Sequence, residues 1–483
     1  MAERLTARQV IALVTDDFTP LRTPATVAPL PDGPIGWAGY DASRARAAAR
    51  TGEEESVLYG GATIDGRRVV VVAFEFGFLG GSLGQAAGDR LVAAYRAALA
   101  DRVPLVSLVA TGGSRMQEGM IALAQLQRVA EATVRLRDAG VPHVAVLRDP
   151  STGGGWATVG AGADVVLALP SAQVAFAGSR VRPQDADPTA YTAESQWEYG
   201  HVDALVEPED LRPTLALWLR LLRDGEPADA ASDGTTPGKT AGDASGGAHS
   251  GAPAAPSAAS VGEAPAAAPP PGALAEAAAP GSGWEAVVRA RSAERPRSGA
   301  YLDAYFTVRA AIRGDRAGGV DPGVECGFGL HEGRTVAYAA QDGTATRPAG
   351  FRTVARLVRL ADRLGIPVLT LIDTPGAAND AEAERAGAGP AIADAFTAVA
   401  AARVPVTSLL VGEGGSGGAL ALAAPGNTWA TPDSYFSVIA PELASAILKR
   451  EADQAPVTAD QLRLRPQDLV ELGVVRGIVS RGG

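Results

Sequence analysis

Apolar and polar positions along this chain fall into one succession, and the succession occurs twice. The run RRVVVVAFEF (67 to 76) reads as a strand, and GDRLVAAYRAALAD (88 to 101) follows with apolar residues at three- and four-residue spacing, the period of an amphipathic helix. PLVSLVA (104 to 110) is a buried strand that ends in a glycine turn, followed by a second helix and a strand running into a second glycine cluster. The order returns with RTVAYAA (334 to 340), FRTVARLVRLADRLG (351 to 365) and PVLTLID (367 to 373). Repeated β-β-α crossovers with helices covering the strands predict an α/β fold in two copies.

The copies share one offset. Gly113, Pro142, Gly154 and Gly155 are matched by Gly376, Pro405, Gly417 and Gly418, each 263 positions on. RVPLVSLVATGG (102 to 113) answers GIPVLTLIDTPG (365 to 376), and GVPHVAVLRDPSTGGG (140 to 155) answers RVPVTSLLVGEGGSGG (403 to 418). Such self-similarity marks a duplicated domain. From 223 to 283 the text is Ala, Pro, Gly, Ser and Thr without an aromatic residue, a composition that cannot bury enough surface to offset its ordering entropy. The expected organisation is a first domain over 1–222, a disordered tether over 223–283 and a second domain over 284–483, opened by Trp284.

At 483 residues and 46% apolar composition the chain can build two cores, and a net charge of −11 with no basic stripe disfavours nucleic acid. No apolar run reaches the length of a membrane span and the N-terminus has no signal-peptide plan, so a soluble cytoplasmic protein is expected. Cys326 is the single cysteine, and none of His143, His201, His249 and His331 is spaced for helical metal ligation, which disfavours metal chemistry. Two lysines, Lys239 and Lys449, leave one ordered candidate for a Schiff base.

The glycines carry the chemistry. Each copy has two glycine sites 41 residues apart, Gly113 with Gly154 and Gly376 with Gly417, each at the carboxyl end of a buried strand. The second of each pair opens a helix, where N–H groups lack intrahelical partners and glycine admits close approach. Two such donors aimed at one point form an oxyanion hole. The alternative is that the glycines only permit tight strand-to-helix packing, but four matched clusters favour the functional role. GEGGSG (412 to 417) fits G-x-G-x-x-G without a counterpart in DPSTGG, and the G-x-S-x-G centred on Ser416 lacks the downstream histidine of a hydrolase triad.

The first half, through FEFGFLGGSLG (74 to 84), TGGSRMQEG (111 to 119), DPSTGG (149 to 154) and FAGSRV (176 to 181), resembles the β subunit of bacterial acetyl-CoA carboxylase carboxyltransferase. The second, through LIDTPGA (371 to 377), GEGGSGGALAL (412 to 422), YFSVIAPE (435 to 442) and DLVELGVV (468 to 475), is similar to the α subunit. The resemblance implies two crotonase-like (ClpP-type β-β-α spiral) domains, and transfer of a carboxyl group from carboxybiotin on a carrier protein to the α-carbon of acetyl-CoA or another short acyl-CoA. By this analogy N–H groups at Gly112, Gly113, Gly153 and Gly154 hold the thioester oxygen, and those at Gly376, Ala377, Gly417 and Gly418 the biotin ureido oxygen. Gly80, Gly81, Arg115, Gly155, Gly178, Arg180, Gly414, Gly415 and Lys449 lie in matching motifs as substrate-binding candidates. Arg115 and Glu118 equally fit a pair at three-residue spacing on a helix surface, and Trp156 and Tyr435 fit packing roles.

The resemblance also implies partners: a biotin carboxyl carrier protein, because no Met-Lys-Met acceptor occurs here, and a biotin carboxylase to charge it. No tightly bound cofactor and no zinc are expected, since the four-cysteine ribbon of the β subunit is missing. The basic stretch of the α subunit is replaced by AQDGTATRPAG, and Leu443 and Ala444 stand where the family has Gly-Cys. A homodimer or larger homo-oligomer is expected, one chain's first domain meeting the other's second. A decarboxylase of related fold and a non-catalytic scaffold are the competing functions.

Overall fold

The computed structural model describes residues 4–22, 30–223, 265–275 and 277–481. The first domain holds strands β1 (Asp17–Pro20), β2 (Val57–Ile64), β3 (Arg67–Phe74), β4 (Leu105–Thr111), β5 (His143–Thr152), β6 (Val165–Ala168), β7 (Val174–Ala175) and β8 (Ala204–Leu205). They form a sheet in the order β1-β2-β3-β4-β5-β6-β8, with β7 beside the end of β5. The second domain repeats it with β9 (Val308–Ile312), β10 (Val324–His331), β11 (Arg334–Gln341), β12 (Val368–Thr374), β13 (Val406–Gly415), β14 (Thr428–Ala430), β15 (Tyr435–Ser437) and β16 (Gly477–Ile478). Its order is β16-β14-β13-β12-β11-β10-β9, with β15 beside β13. In each sheet the first three strands are antiparallel and the rest parallel.

The unbroken apolar run of β3 follows from burial on both faces. Val70, Val72 and Phe74 enter the core shared by the two domains, while Val69, Val71 and Ala73 enter a separate cluster on the other face. The same alternation divides β11, with Ala337 and Ala339 in the shared core and Val336, Tyr338 and Ala340 in a third cluster. Helices α1 (Gln85–Asp101) and α2 (Gly119–Asp138) of the first domain and α3 (Pro348–Leu364) and α4 (Ala388–Ala401) of the second cover the inner faces. The two expected amphipathic helices, over 88–101 and 351–365, are α1 and α3. None of the described helices is long and apolar enough to cross a membrane.

The domains meet through α2 and α4. The buried face of α4 carries Ala388, Gly389, Ala391, Ala395 and Ala398, small residues that let its backbone come close. Trp156 is fully buried there, and a methyl placed on Gly389 would lie 2.1 Å from its Nε1. Gln127 of α2 donates to the Ala423 carbonyl of the second domain at 2.8 Å.

The expected tether over 223–283 is described only in part. Residues 224–264 lie outside the described residues, but 265–275 pack on the second domain. Ala268 and Ala273 join Tyr301, Leu302, Tyr305 and Phe306 in its outer cluster. Thr407 Oγ1 donates to the Ala268 carbonyl at 2.7 Å, and the Ala273 N–H donates to Ser480 at 2.9 Å. Alanine side chains this small build no core of their own yet fill gaps in one already formed.

Candidate active site

The strands before the two glycine turns end alike. The pairing of β4 with β5 shifts register between Val109 and Thr111, and that of β12 with β13 shifts between Ile372 and Thr374, positions again 263 apart. Gly113 follows at φ 99° and Gly376 at φ 141°, in the region that favours glycine. Thr111 Oγ1 accepts the Gly113 N–H at 3.0 Å, and Thr374 Oγ1 accepts the Gly376 N–H at 3.1 Å. The Gly112 N–H goes to the Gly80 carbonyl at 2.9 Å and the Gly153 N–H to the Phe176 carbonyl at 3.1 Å. Four of the eight expected donors are therefore committed to protein acceptors, which corrects the roles assigned to Gly112, Gly113, Gly153 and Gly376.

The unspent donors lie one residue on. Leu83 N–H donates to Gly113 at 2.9 Å and Arg115 N–H to Leu83 at 2.8 Å, a parallel bridge that fixes both neighbours of Ser114 and leaves its own N–H free. Thr346 does the same for Ala377, receiving the Ala378 N–H at 2.8 Å and donating to Gly376 at 2.9 Å. Gly154 and Gly417 are the second residues of short helices that begin at Gly153 and Ser416, where first-turn N–H groups have no intrahelical acceptor. Among the described residues none of these four N–H groups has a protein partner. A methyl added at Gly113 would sit 3.8 Å from the Gly154 nitrogen, and one at Gly418 would sit 2.3 Å from the Ala377 nitrogen, so each turn abuts its partner turn. Ser114 was missed in sequence, although it is the 263-offset equivalent of Ala377.

Both pairs open into one cavity of about 520 Å³. Of the expected site residues, Gly80, Gly112, Gly113, Arg115, Gly153, Gly154, Gly178, Arg180, Gly376, Ala377 and Gly417 line it. Gly81, Gly155, Gly414, Gly415, Gly418 and Lys449 do not. The five glycines are there for space: added methyls would meet Ala110 O at 2.1 Å, Thr111 Cγ2 at 2.4 Å, the Phe436 ring at 2.8 Å, Pro375 O at 1.9 Å and Ala377 N at 2.3 Å respectively. Lys449 is exposed beyond the helix Pro441–Ile447. Both walls come from one chain, with Gly113 and Gly154 on the first domain and Gly376 and Gly417 on the second.

Charge is buried beside each turn, in opposite arrangements. Arg115 is not on a helix surface: its guanidinium is enclosed, bonded to Glu55 at 2.5 and 3.0 Å, to Ser82 O at 2.7 Å and to Glu118 at 3.4 Å. Burial works to lower its pKa, but Glu55, Tyr40 and Glu118 outweigh burial and hold it charged. Asp373, at the end of β12, is enclosed too and accepts from Arg295 at 2.6 and 2.7 Å, Arg297 at 3.3 Å and the Glu413 N–H at 3.1 Å. Glu384 of the second domain clasps the first, accepting the N–H groups of Phe176 at 3.0 Å and Ala177 at 2.7 Å. Burial pushes its carboxyl up to about 7, against those two bonds and Arg182. Arg180 is exposed at the cavity wall. Trp156 and Tyr435 are core residues, as expected.

Comparison with known proteins gives a consistent result. Residues 276–482 match the family described as acetyl co-enzyme A carboxylase carboxyltransferase-like, and 36–203 match the carboxyl transferase domain family. A protein of Saccharopolyspora erythraea described as acetyl-coenzyme A carboxylase carboxyl transferase subunits beta/alpha is 38% identical over 457 residues, covering 91% of this chain and 74% of its own. A protein of Salinispora arenicola with the same description is 39% identical over 480 residues, covering 94% and 80%. Among solved structures, the transcarboxylase 12S hexamer with hydrolysed methylmalonyl-coenzyme A aligns over 99% of this chain and 87% of its own at 19% identity, with a TM-score of 0.38.

Proposed function

The chain belongs to the acetyl-CoA carboxylase carboxyltransferase family, and from that premise we propose that its cavity moves a carboxyl group from carboxybiotin, borne by a carrier protein, to the α-carbon of acetyl-CoA or another short acyl-CoA. The observation that supports this most is the pair of unpartnered amides on each wall of one cavity, since the reaction develops two anions. Carboxybiotin loses CO2 as its C–N bond breaks and the electron pair stays on the ureido group. That nitrogen takes the α-proton of the thioester, and the enolate so formed attacks CO2 to make the new C–C bond.

In this reading Ser114 and Gly154 donate to the thioester oxygen as it becomes an enolate, and Ala377 and Gly417 donate to the ureido oxygen. Donors fixed by folding need no reorganisation when the charge appears, and each is worth about 3 kcal/mol of barrier. No side-chain base is required, which agrees with a lining that, among the described residues, holds no His, Asp, Glu or Lys. Arg180, the exposed guanidinium on the wall, is placed for a CoA phosphate. The chain acts in the cytoplasm as a homo-oligomer, with its carrier recharged by a separate biotin carboxylase.

Purified protein with malonyl-CoA and free biocytin tests the proposal by running the transfer backwards. Acetyl-CoA should form only when biocytin is present. Absence of biotin-dependent turnover with malonyl-, methylmalonyl- and ethylmalonyl-CoA overturns it, and turnover indifferent to biocytin favours the simple decarboxylase.

A further inference from the structure

Ser416 occupies a position that the duplication marks as a glycine site. Its equivalent 263 residues earlier is Gly153, and the two share a left-handed backbone, φ 51° for Ser416 and φ 65° for Gly153. Glycine adopts this conformation freely, whereas a residue with a Cβ is strained there by about 1 kcal/mol or more. The second copy therefore keeps a side chain where the backbone favours none.

Nothing among the described residues accounts for it. The Ser416 hydroxyl makes no hydrogen bond to any described residue, and the short helix that starts at Ser416 is preceded by Gly415, so the serine does not cap it. Ser416 is half-buried and lines the cavity next to Gly417 and near Ala377. The sharp strand-to-helix turn, with serine strained at its apex, has the form of the nucleophile elbow that the G-x-S-x-G run resembles. A nucleophile needs a base, however, and among the described residues no His, Asp, Glu or Lys side chain lines the cavity. What remains is a neutral hydroxyl fixed beside two unpartnered N–H groups.

We propose that Ser416 is a further catalytic residue, whose hydroxyl donates a third hydrogen bond to the ureido oxygen of biotin beside the Ala377 and Gly417 amides. The inference rests on the carboxybiotin assignment made above. The hydroxyl keeps its proton throughout and forms no covalent bond; its bond shortens as the C–N bond breaks and charge collects on the oxygen. The backbone strain at Ser416 is the cost of aiming that hydroxyl, which explains why the first copy, holding a different anion, has glycine.

The test measures biocytin-dependent decarboxylation of malonyl-CoA by the wild type, Ser416→Ala and Ser416→Gly, with thermal melts of all three. Both variants should lose roughly a hundredfold or more in kcat, the effect of removing one donor to a developing anion, with KM for malonyl-CoA within about twofold of the wild type. Ser416→Gly, which relieves the strain, should melt no lower than the wild type, so its loss of rate is not loss of fold. Wild-type kcat in either variant overturns the inference and leaves the carboxyltransferase reading standing. A rise in malonyl-CoA KM of tenfold or more places the hydroxyl on the acyl side and also overturns it. A wild type without biotin-dependent turnover removes both readings together.

Discussion

Gly155 and Gly418 are equivalent positions in the two copies, yet adding one methyl should affect them very differently. At Gly418 the new carbon would lie 2.3 Å from the Ala377 nitrogen, 2.8 Å from the Gly376 carbonyl carbon and 3.1 Å from the Ala377 Cα. All three are backbone atoms of the turn that presents the second amide pair, so relief requires that turn to move by about 1 Å. Overpacking of this kind costs about 1–3 kcal/mol, and losing the aim of one donor costs about 3 kcal/mol of barrier. At Gly155 the close atom is a side-chain methyl, Thr111 Cγ2 at 2.4 Å, with the other neighbours at 3.4 Å. Gly418→Ala should therefore lower biocytin-dependent kcat by roughly a hundredfold, while acyl-CoA binding measured calorimetrically stays within about threefold. Gly155→Ala should lose less than tenfold. Equal losses in the two variants, or a fully active Gly418→Ala, would refute the claim that the Ala377 and Gly417 amides form a working pair.

Three further predictions concern groups other than the amides themselves. Gly389→Val forces a side chain into the buried Trp156 ring, 2.1 Å from a Cβ, and should abolish biotin-dependent turnover while far-UV circular dichroism stays close to wild type, because it opens the shared core where the domains meet and leaves the strands and helices of each in place. Asp373→Asn strands the buried Arg295 guanidinium and should destabilise by about 3–5 kcal/mol, whereas the double replacement Asp373→Leu with Arg295→Met should recover most of that; equal melting of the single and double variants sinks the prediction. His143 has its pKa lowered to about 3, by burial first and then by Arg137. An unfolded histidine protonates near 6.5, so this group's stabilisation is complete above that pH and is lost as pH falls toward 3, by up to about 1.4 kcal/mol per unit. The melting temperature should fall more steeply from pH 6.5 to 5 in the wild type than in His143→Gln.

The parts of the structure legible in sequence are those set by local periodicity and by repetition. Strands β3, β4, β11 and β12 and helices α1 and α3 could be read because alternate residues enter different cores and leave unbroken apolar text. The offset of 263 located the turns. It could not assign the amides, because a glycine can serve by its left-handed backbone, by lacking a Cβ or by its N–H, and the letter is the same in each case. Gly113 and Gly376 serve the first way, Gly415 and Gly418 the second, and the third is the role proposed for Gly154 and Gly417. The N–H at Ser114 carries no residue signature at all. Contacts between distant segments were equally silent: Glu55 pairs with Arg115 sixty residues away, and Glu384 reaches amides more than two hundred residues earlier. The domain contact was hidden for another reason, since an alanine-rich face such as that of α4 has little contrast with a linker.

Backbone donors also explain how the two halves could diverge around a common device. An N–H is supplied by any residue but proline, so the turns need only Thr111 or Thr374 to hold the preceding amide, and a left-handed residue at 113 or 376 and at 153 or 416. Side chains beyond those points were free to change. One half has a guanidinium buried with two carboxylates, Arg115 with Glu55 and Glu118; the other has a carboxylate among two guanidiniums, Asp373 with Arg295 and Arg297. That positive surplus sits behind the second turn and not in the cavity lining, where the guanidiniums of Arg4, Arg115 and Arg180 all come from the first domain and the second contributes the strained Ser416. Under the proposed function, two copies of one turn hold different anions with the same φ-positive backbone, and what distinguishes them is the side chains around each turn.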